Sequence, residues 1–153
     1  AHSGGLGGTY AGNPLAVAAA NAVLDVIADE GLCARAVVLG GRIADRLSEI
    51  ASRQGMEQIG DVRGLGAMVA MELVEDRQTK VAAPALTNAI IAEAEKRGLI
   101  LLACGTRANV IRILVPLTIE DETLEDGLTI LEASIEAVLS DTGAATMQSE
   151  GTA

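Results

Sequence analysis

Apolar positions between residues 14 and 27 recur at helical spacing: Leu15, Ala18, Ala19, Ala22, Val23, Val26 and Ile27. Asn13 before Pro14 predicts the helix start, because asparagine caps well and proline is tolerated at the first helical position. Gly31, after Asp29 and Glu30, predicts its end. A second helix follows at once, with Leu32, Ala36, Leu39, Ile43, Leu47 and Ile50 on one stripe. Its other side carries Arg35, Arg42, Asp45, Arg46 and Glu49 and reads as an ordinary solvated surface.

The period then shortens. Ile59, Val62 and Leu65 precede Val69, Met71 and Leu73, with Gly60, Gly64 and Gly66 among them, which predicts two strands joined by a tight glycine turn. After the polar loop Glu75 to Gln78, Pro84 opens a third helix through Leu86, Ile90, Ile91 and Ala94, ending near Gly98. Leu99 to Ala103 and Asn109 to Leu117 are short apolar runs around a polar loop, Gly105 to Ala108, and predict two more strands. Thr118 with Asp121 three residues on resembles a capping box, so the last helix is expected from Thr118, burying Leu124, Leu128, Leu131, Ile135 and Val138. Residues 141–153 show no periodicity and read as a disordered tail. Helix, helix, strand, strand, helix, strand, strand, helix is the order of an α+β layer with helices over a small sheet.

Composition narrows this picture. The 153 residues fit one domain with a real core, yet contain no Phe, no Trp and one tyrosine, Tyr10, so Ala, Val, Leu and Ile must build it. No apolar run approaches the roughly 18 residues of a membrane span, and the opening residues predict no secretory signal. A net charge of −10 argues against nucleic acid, which needs clustered Lys and Arg. Two cysteines, Cys33 and Cys104, are too few for a disulfide framework, and with His2 the single histidine no His/Cys metal site is expected. The expected compartment is the cytoplasm.

Few side chains present themselves for chemistry. The glycine-rich stretch Gly4 to Pro14 matches neither a P-loop nor a dinucleotide fingerprint. Its free amides and the Thr9 hydroxyl suit an anionic oxygen, although composition alone favours a plain linker. Arg112 stands among Val, Ile and Leu from Val110 to Val115. Expected half-buried there, it needs an anion, either one of the chain's own acids or a substrate carboxylate that its planar fork fits. Arg63 at a strand end reads as a structural residue, in a salt bridge or a carbonyl contact, and Glu120, Asp121 and Glu122 as a helix's stabilising first turn. Cys104 reads as a small hydrophobe, Met68 and Met71 as core. Lys80 lies in a polar loop and Lys96 in a helix's last turn, so neither has the apolar or cation-flanked pocket that activates an amine. No Ser–His or Cys–His pair exists.

Taken together, "GGLGGTYAGNPLAVAAANAVLDVI", "DVRGLGAMVAMEL", "EKRGLILLACG" and "NVIRILVPLTI" resemble the class III pyridoxal-phosphate aminotransferases over about residues 4 to 140, and within them the 4-aminobutyrate (GABA) branch. The resemblance implies the small C-terminal domain of a fold-type I transferase, with helices on a small, mostly antiparallel sheet. Residues 1–12 would be a phosphate-contacting segment, 13–53 linking helices, 54–140 the small domain and 141–153 the tail. It implies that Gly8 and Thr9 hold the phosphate of pyridoxal 5'-phosphate across a homodimer interface. It implies also that Arg112 holds the α-carboxylate of glutamate or 2-oxoglutarate. The lysine that anchors the cofactor lies upstream in the family, so no catalytic residue is expected in this chain, which alone would be inactive. The implied reaction moves the amino group of 4-aminobutyrate to 2-oxoglutarate. Two other readings are a related aminotransferase of 5-aminovalerate or a diamine, and a non-catalytic dimerisation or ligand-binding module.

Overall fold

The computed structural model describes residues 2–3, 5 and 7–150, with side chains through residue 140. Gly4 and Leu6 of the glycine-rich stretch therefore lie outside the described residues. Two compact units, Ala1–Arg35 and Ala36–Ala153, are each described by themselves.

In the first unit, helix α1 spans Pro14–Asp29. Asn13 caps it as expected: its Oδ1 accepts from the N–H groups of Leu15 at 3.0 Å and Ala16 at 3.2 Å. Proline at the first position loses nothing, since that donor would have no helical partner. At the other end the Glu30 N–H returns to Val26 O, and Gly31 takes φ +62°, a left-handed turn that a side chain would resist. No residue of α1 is buried, and Leu15, Val23 and Leu24 stand out to solvent.

Helix α2, Leu32–Ser52, buries Leu39, Gly40, Ile43, Leu47 and Ile50 on the expected stripe. Strands β1 (Ile59–Leu65) and β2 (Met68–Leu73) form an antiparallel hairpin around Gly66 and Ala67. Helix α3, Pro84–Lys96, ends as Gly98 takes φ +90°. Strand β3 is only Ala103–Cys104, and β4 is Val110–Leu114. The sheet is wholly antiparallel in the order β1-β2-β4-β3. Residues 99–102, expected as strand, pair with no strand.

All helices of this unit cover one face. Val69, Met71 and Leu73 of β2, with Ile111 and Ile113 of β4, meet Leu39, Ile43 and Leu47 of α2, Ile90 of α3, and Leu124, Leu128 and Leu131 of helix α4 (Asp121–Glu150). The sequence placed Met68 in this core beside Met71, but alternation along β2 turns Met68 to the opposite, exposed face. The expected start of α4 at Thr118 is also corrected. Residues 116–119 close a turn, Ile119 N–H to Pro116 O at 3.0 Å, and the first α-helical bond runs from Leu124 N–H to Glu120 O. The backbone of α4 continues to Glu150, into the segment read as a disordered tail. Ala144, Ala145, Met147, Gln148 and Glu150 are good helix formers. Residues 151–153 lie outside the described residues.

Two features were not legible as contacts. The polar side of α2 is no free surface: Arg42 pairs with Asp121 at 2.6 Å and Glu125 at 2.7 Å, and Arg46 and Arg53 both reach Glu132. Arg77, in the polar loop, donates to the carbonyls of Ala51, Met56 and Ile59, tying the end of α2 to the start of β1.

Candidate functional site

The outer face of the sheet carries the cationic chemistry. Alternation along β4 sends Ile111 and Ile113 into the core and Arg112 and Leu114 out. Arg112 is thus exposed, not half-buried as expected, because all helices of this unit lie on the opposite face. Its direct neighbour on β2 is Ala70, whose neighbour on β1 is Arg63. With strands about 4.8 Å apart, the two arginines stand roughly 10 Å from each other over a small side chain.

These guanidiniums differ in what they hold. Arg63 reaches Asp61 at 2.6 Å and Glu72 at 2.7 Å, the structural ion pairing expected of it. The hydrogen bonds it donates to Asp61 and Glu72 push its pKa above the ordinary arginine value. The Arg112 guanidinium has no hydrogen bond or ion pair among the described residues. Of the two anions open to it on sequence, the chain's own acids are already engaged nearby.

Register fixes where Arg112 stands, and Asn109 fixes the register. Asn109 is buried; its carbonyl accepts from the Leu73 N–H at 2.7 Å and its Nδ2 donates to Leu73 O at 2.8 Å. The same Nδ2 lies 3.4 Å from Glu72 Oε1. This clamp sits three residues before Arg112. Sequence reading took Asn109 only as a strand's first residue; the signal available was a buried-type amide at the foot of an apolar strand, which needs partners.

Beside Arg112 the sheet opens. The β3–β4 pairing stops at Ala103↔Ile111, and beyond it lies a cavity of about 510 Å³. Arg112, Leu114, Cys104, Leu102, Thr123 and Leu128 are among its walls. Its walls are mostly aliphatic, and Arg112 is the one charged residue among those lining it. Cys104 is half-buried, in keeping with a small hydrophobe.

The other expected contacts, Gly8 and Thr9, lie in the first unit, and Arg112 in the second. Gly8 O accepts from the Ala11 N–H at 3.0 Å, and Tyr10 O from the Asn13 N–H at 3.1 Å, so two successive turns lead into α1. Gly8 and Thr9 are exposed, and a side chain at Gly8 would meet no atom within 4 Å. The Thr9 hydroxyl has no partner among the described residues. Donors left open in uncrowded backbone fit a phosphate group. Of the two lysines, Lys96 pairs with Glu93 at 3.0 Å and Lys80 sits in the exposed loop. Among the described residues no group of three His, Cys, Asp or Glu stands ready for a metal, and no helix is long and apolar enough to cross a membrane.

Comparison with known proteins then decides the family. The family model for class-III aminotransferases matches residues 1–135. The chain belongs to the class-III aminotransferases. It is 53% identical over 128 residues to the 5-aminovalerate aminotransferase DavT of Pseudomonas aeruginosa, covering 84% of this chain and 30% of that protein. It is equally 53% identical over 128 residues to the 4-aminobutyrate aminotransferase GabT of Escherichia coli K12, with the same coverage. The chain therefore spans about 30% of the length of the curated relatives it matches. Among solved structures, a transaminase studied with L-alanine matches with TM-score 0.74 at 32% identity, over 93% of this chain and 32% of that one. A Bacillus anthracis aminotransferase matches with TM-score 0.75 at 28% identity, over 84% of this chain and 29% of that one. These matches agree with the α+β architecture read from the sequence.

Proposed function

We propose that the chain is the C-terminal part of a pyridoxal-phosphate-dependent transaminase that moves the amino group of 4-aminobutyrate to 2-oxoglutarate, giving succinate semialdehyde and glutamate. The observation that carries this reading is Arg112: an exposed guanidinium without a carboxylate partner among the described residues, lining an aliphatic cavity in a chain of this family. Its planar fork binds the α-carboxylate of glutamate or 2-oxoglutarate with two parallel hydrogen bonds. Asn109 holds β4 in the register that aims the fork outward.

Pyridoxal phosphate, when bound, supplies the carbonyl that takes up and returns the amino group and the ring that disperses the resulting charge. Gly8 and Thr9 hold its phosphate through backbone N–H groups and the Thr9 hydroxyl, reaching it from one subunit of a homodimer to the other. Neither Lys80 nor Lys96 is placed to anchor the cofactor, so that lysine belongs to the rest of the protein, and the chain by itself is inactive. The proposed setting is the cytoplasm.

A second reading rests on one observation: the 5-aminovalerate and 4-aminobutyrate enzymes are equally similar to this chain. One extra methylene in an aliphatic pocket is worth only about 1–3 kcal/mol, so the two donors compete for one site. Steady-state kinetics of the full-length enzyme with each donor separate them. The same assay tests Arg112. Replacing it by alanine removes two charge-assisted bonds worth about 1.5–3 kcal/mol each, so KM for 2-oxoglutarate rises roughly a hundredfold or more while affinity for pyridoxal phosphate is unchanged. Equal loss of both removes Arg112 from the substrate site.

A further inference from the structure

The charged residues of the four strands are Asp61 and Arg63 on β1, Glu72 on β2 and Arg112 on β4. Register places all four on the outer face. Asp61 is opposite Glu72, while Arg63 and Arg112 are opposite Ala70 from its two sides. Glu72 lies two residues along β2 from Ala70, so it is diagonal to both arginines. Diagonal neighbours stand about 7–8 Å apart, a span that long side chains close. By position, Glu72 could pair with either.

It pairs with Arg63. The Arg63 Nη1 meets Glu72 Oε2 at 2.7 Å and Asp61 Oδ2 at 2.6 Å, so one guanidinium engages both acids of the sheet. The second Glu72 oxygen, Oε1, accepts from Asn109 Nδ2 at 3.4 Å, and the same Nδ2 is fixed by its bond to Leu73 O at 2.8 Å. Both oxygens of Glu72 are therefore held. Released from Arg63, this carboxylate would be a competitor tethered beside Arg112, and a short tether keeps such a group at an effective concentration in the millimolar range.

We propose that Arg63 is a positioning residue for substrate recognition: by holding Glu72 it keeps Arg112 open to the α-carboxylate of the amino acceptor. The kinetic consequence rests on the reading of Arg112 as the acceptor's carboxylate site. The choice of partner by Glu72 does not, and it can be seen without any assay of activity.

Arg63→Met in the full-length enzyme tests both. In its crystal structure the Glu72 carboxylate is expected within about 4 Å of the Arg112 guanidinium. KM for 2-oxoglutarate is expected to rise about two- to sixfold, the factor by which an exposed ion pair competes. The value of kcat stays as in wild type, because saturating substrate displaces an internal competitor. For 4-aminobutyrate, whose amino-bearing carbon carries no carboxylate, kcat/KM is unchanged. Adding Glu72→Gln to Arg63→Met returns KM for 2-oxoglutarate to the wild-type value, a rescue that simple loss of a structural contact would not allow. Glu72 remaining clear of Arg112 in the variant overturns the inference, as does an unmoved KM or a raised KM that Glu72→Gln does not restore. Arg112→Ala alone reports on the substrate assignment, so the two failures are separately visible.

Discussion

Arg63 and Arg112 show how far a residue's neighbours decide its chemistry. Both stand on the outer face of one sheet, two strands apart, and sequence marked both as cations in need of anions. Asp61 and Glu72 consume the charge of Arg63, leaving Arg112 open to something from outside the chain. What sequence could not give was the exposure of Arg112. An apolar strand reads alike whether one face or both are covered, and only the placement of the helices tells which. Glu132 offers a test at the same scale. Burial works to raise its pKa, but the hydrogen bonds from Arg53 and Arg46 outweigh it and the net shift is downward from 4.5. A carboxyl whose folded pKa is depressed adds stability that is complete above its unfolded value and disappears as pH falls through the folded one. Wild-type protein is therefore expected to lose urea resistance below about pH 4.5. Glu132→Gln is expected to lose up to about 1 kcal/mol at neutral pH and to show a smaller further loss in acid, read from midpoints along a pH series.

At the scale of elements, local chemistry was the legible part. Asn13-Pro14, Gly31 and the stripe from Leu39 to Ile50 set α1 and α2 as expected, because caps and periodicity act within a few residues. The pairings that depend on distant partners were not readable: Arg42 and Arg46 face α4, and the start of α4 shifts from Thr118 to Asp121 because a turn from Pro116 intervenes. Gly40 is a third case. In the middle of a helix a glycine looks like a weakness, but a Cβ there would fall 1.7 Å from the Gly66 carbonyl oxygen in the β1–β2 turn. The bare backbone lets α2 lie directly on that turn, at the end of the hairpin that carries Ala70 and Arg63. Gly40→Ala must push helix and turn apart, and overpacking of this kind costs about 1–3 kcal/mol. The expected result is a lower melting temperature, whereas alanine at the open Gly41 is neutral or mildly stabilising.

Over the whole molecule, the apolar surfaces left uncovered are the main finding. In the first unit α1 buries nothing, with Leu15 83% exposed. In the second, the outer sheet face shows Leu65, Met68 and Leu114. Exposed apolar patches of this kind mark surfaces meant for other protein. The 153-residue chain alone is expected to self-associate, with light scattering giving a mass above one chain. A monodisperse monomer that melts cooperatively would instead favour a stand-alone binding module. The fold class was readable from the order of elements, and the family from four stretches of sequence; the share of the molecule each surface faces was not, because a pattern of apolar residues does not name what covers them.

From Ile111 to Leu114 strand β4 alternates between the packed face and the outer face. Adding one residue between Asn109 and Arg112 would exchange the faces of everything after it, carrying a guanidinium under the helices and an isoleucine to the outer side. Evolution can alter the outer face by substitution at outward positions, but it cannot lengthen the strand at this point without losing the packed interior as well.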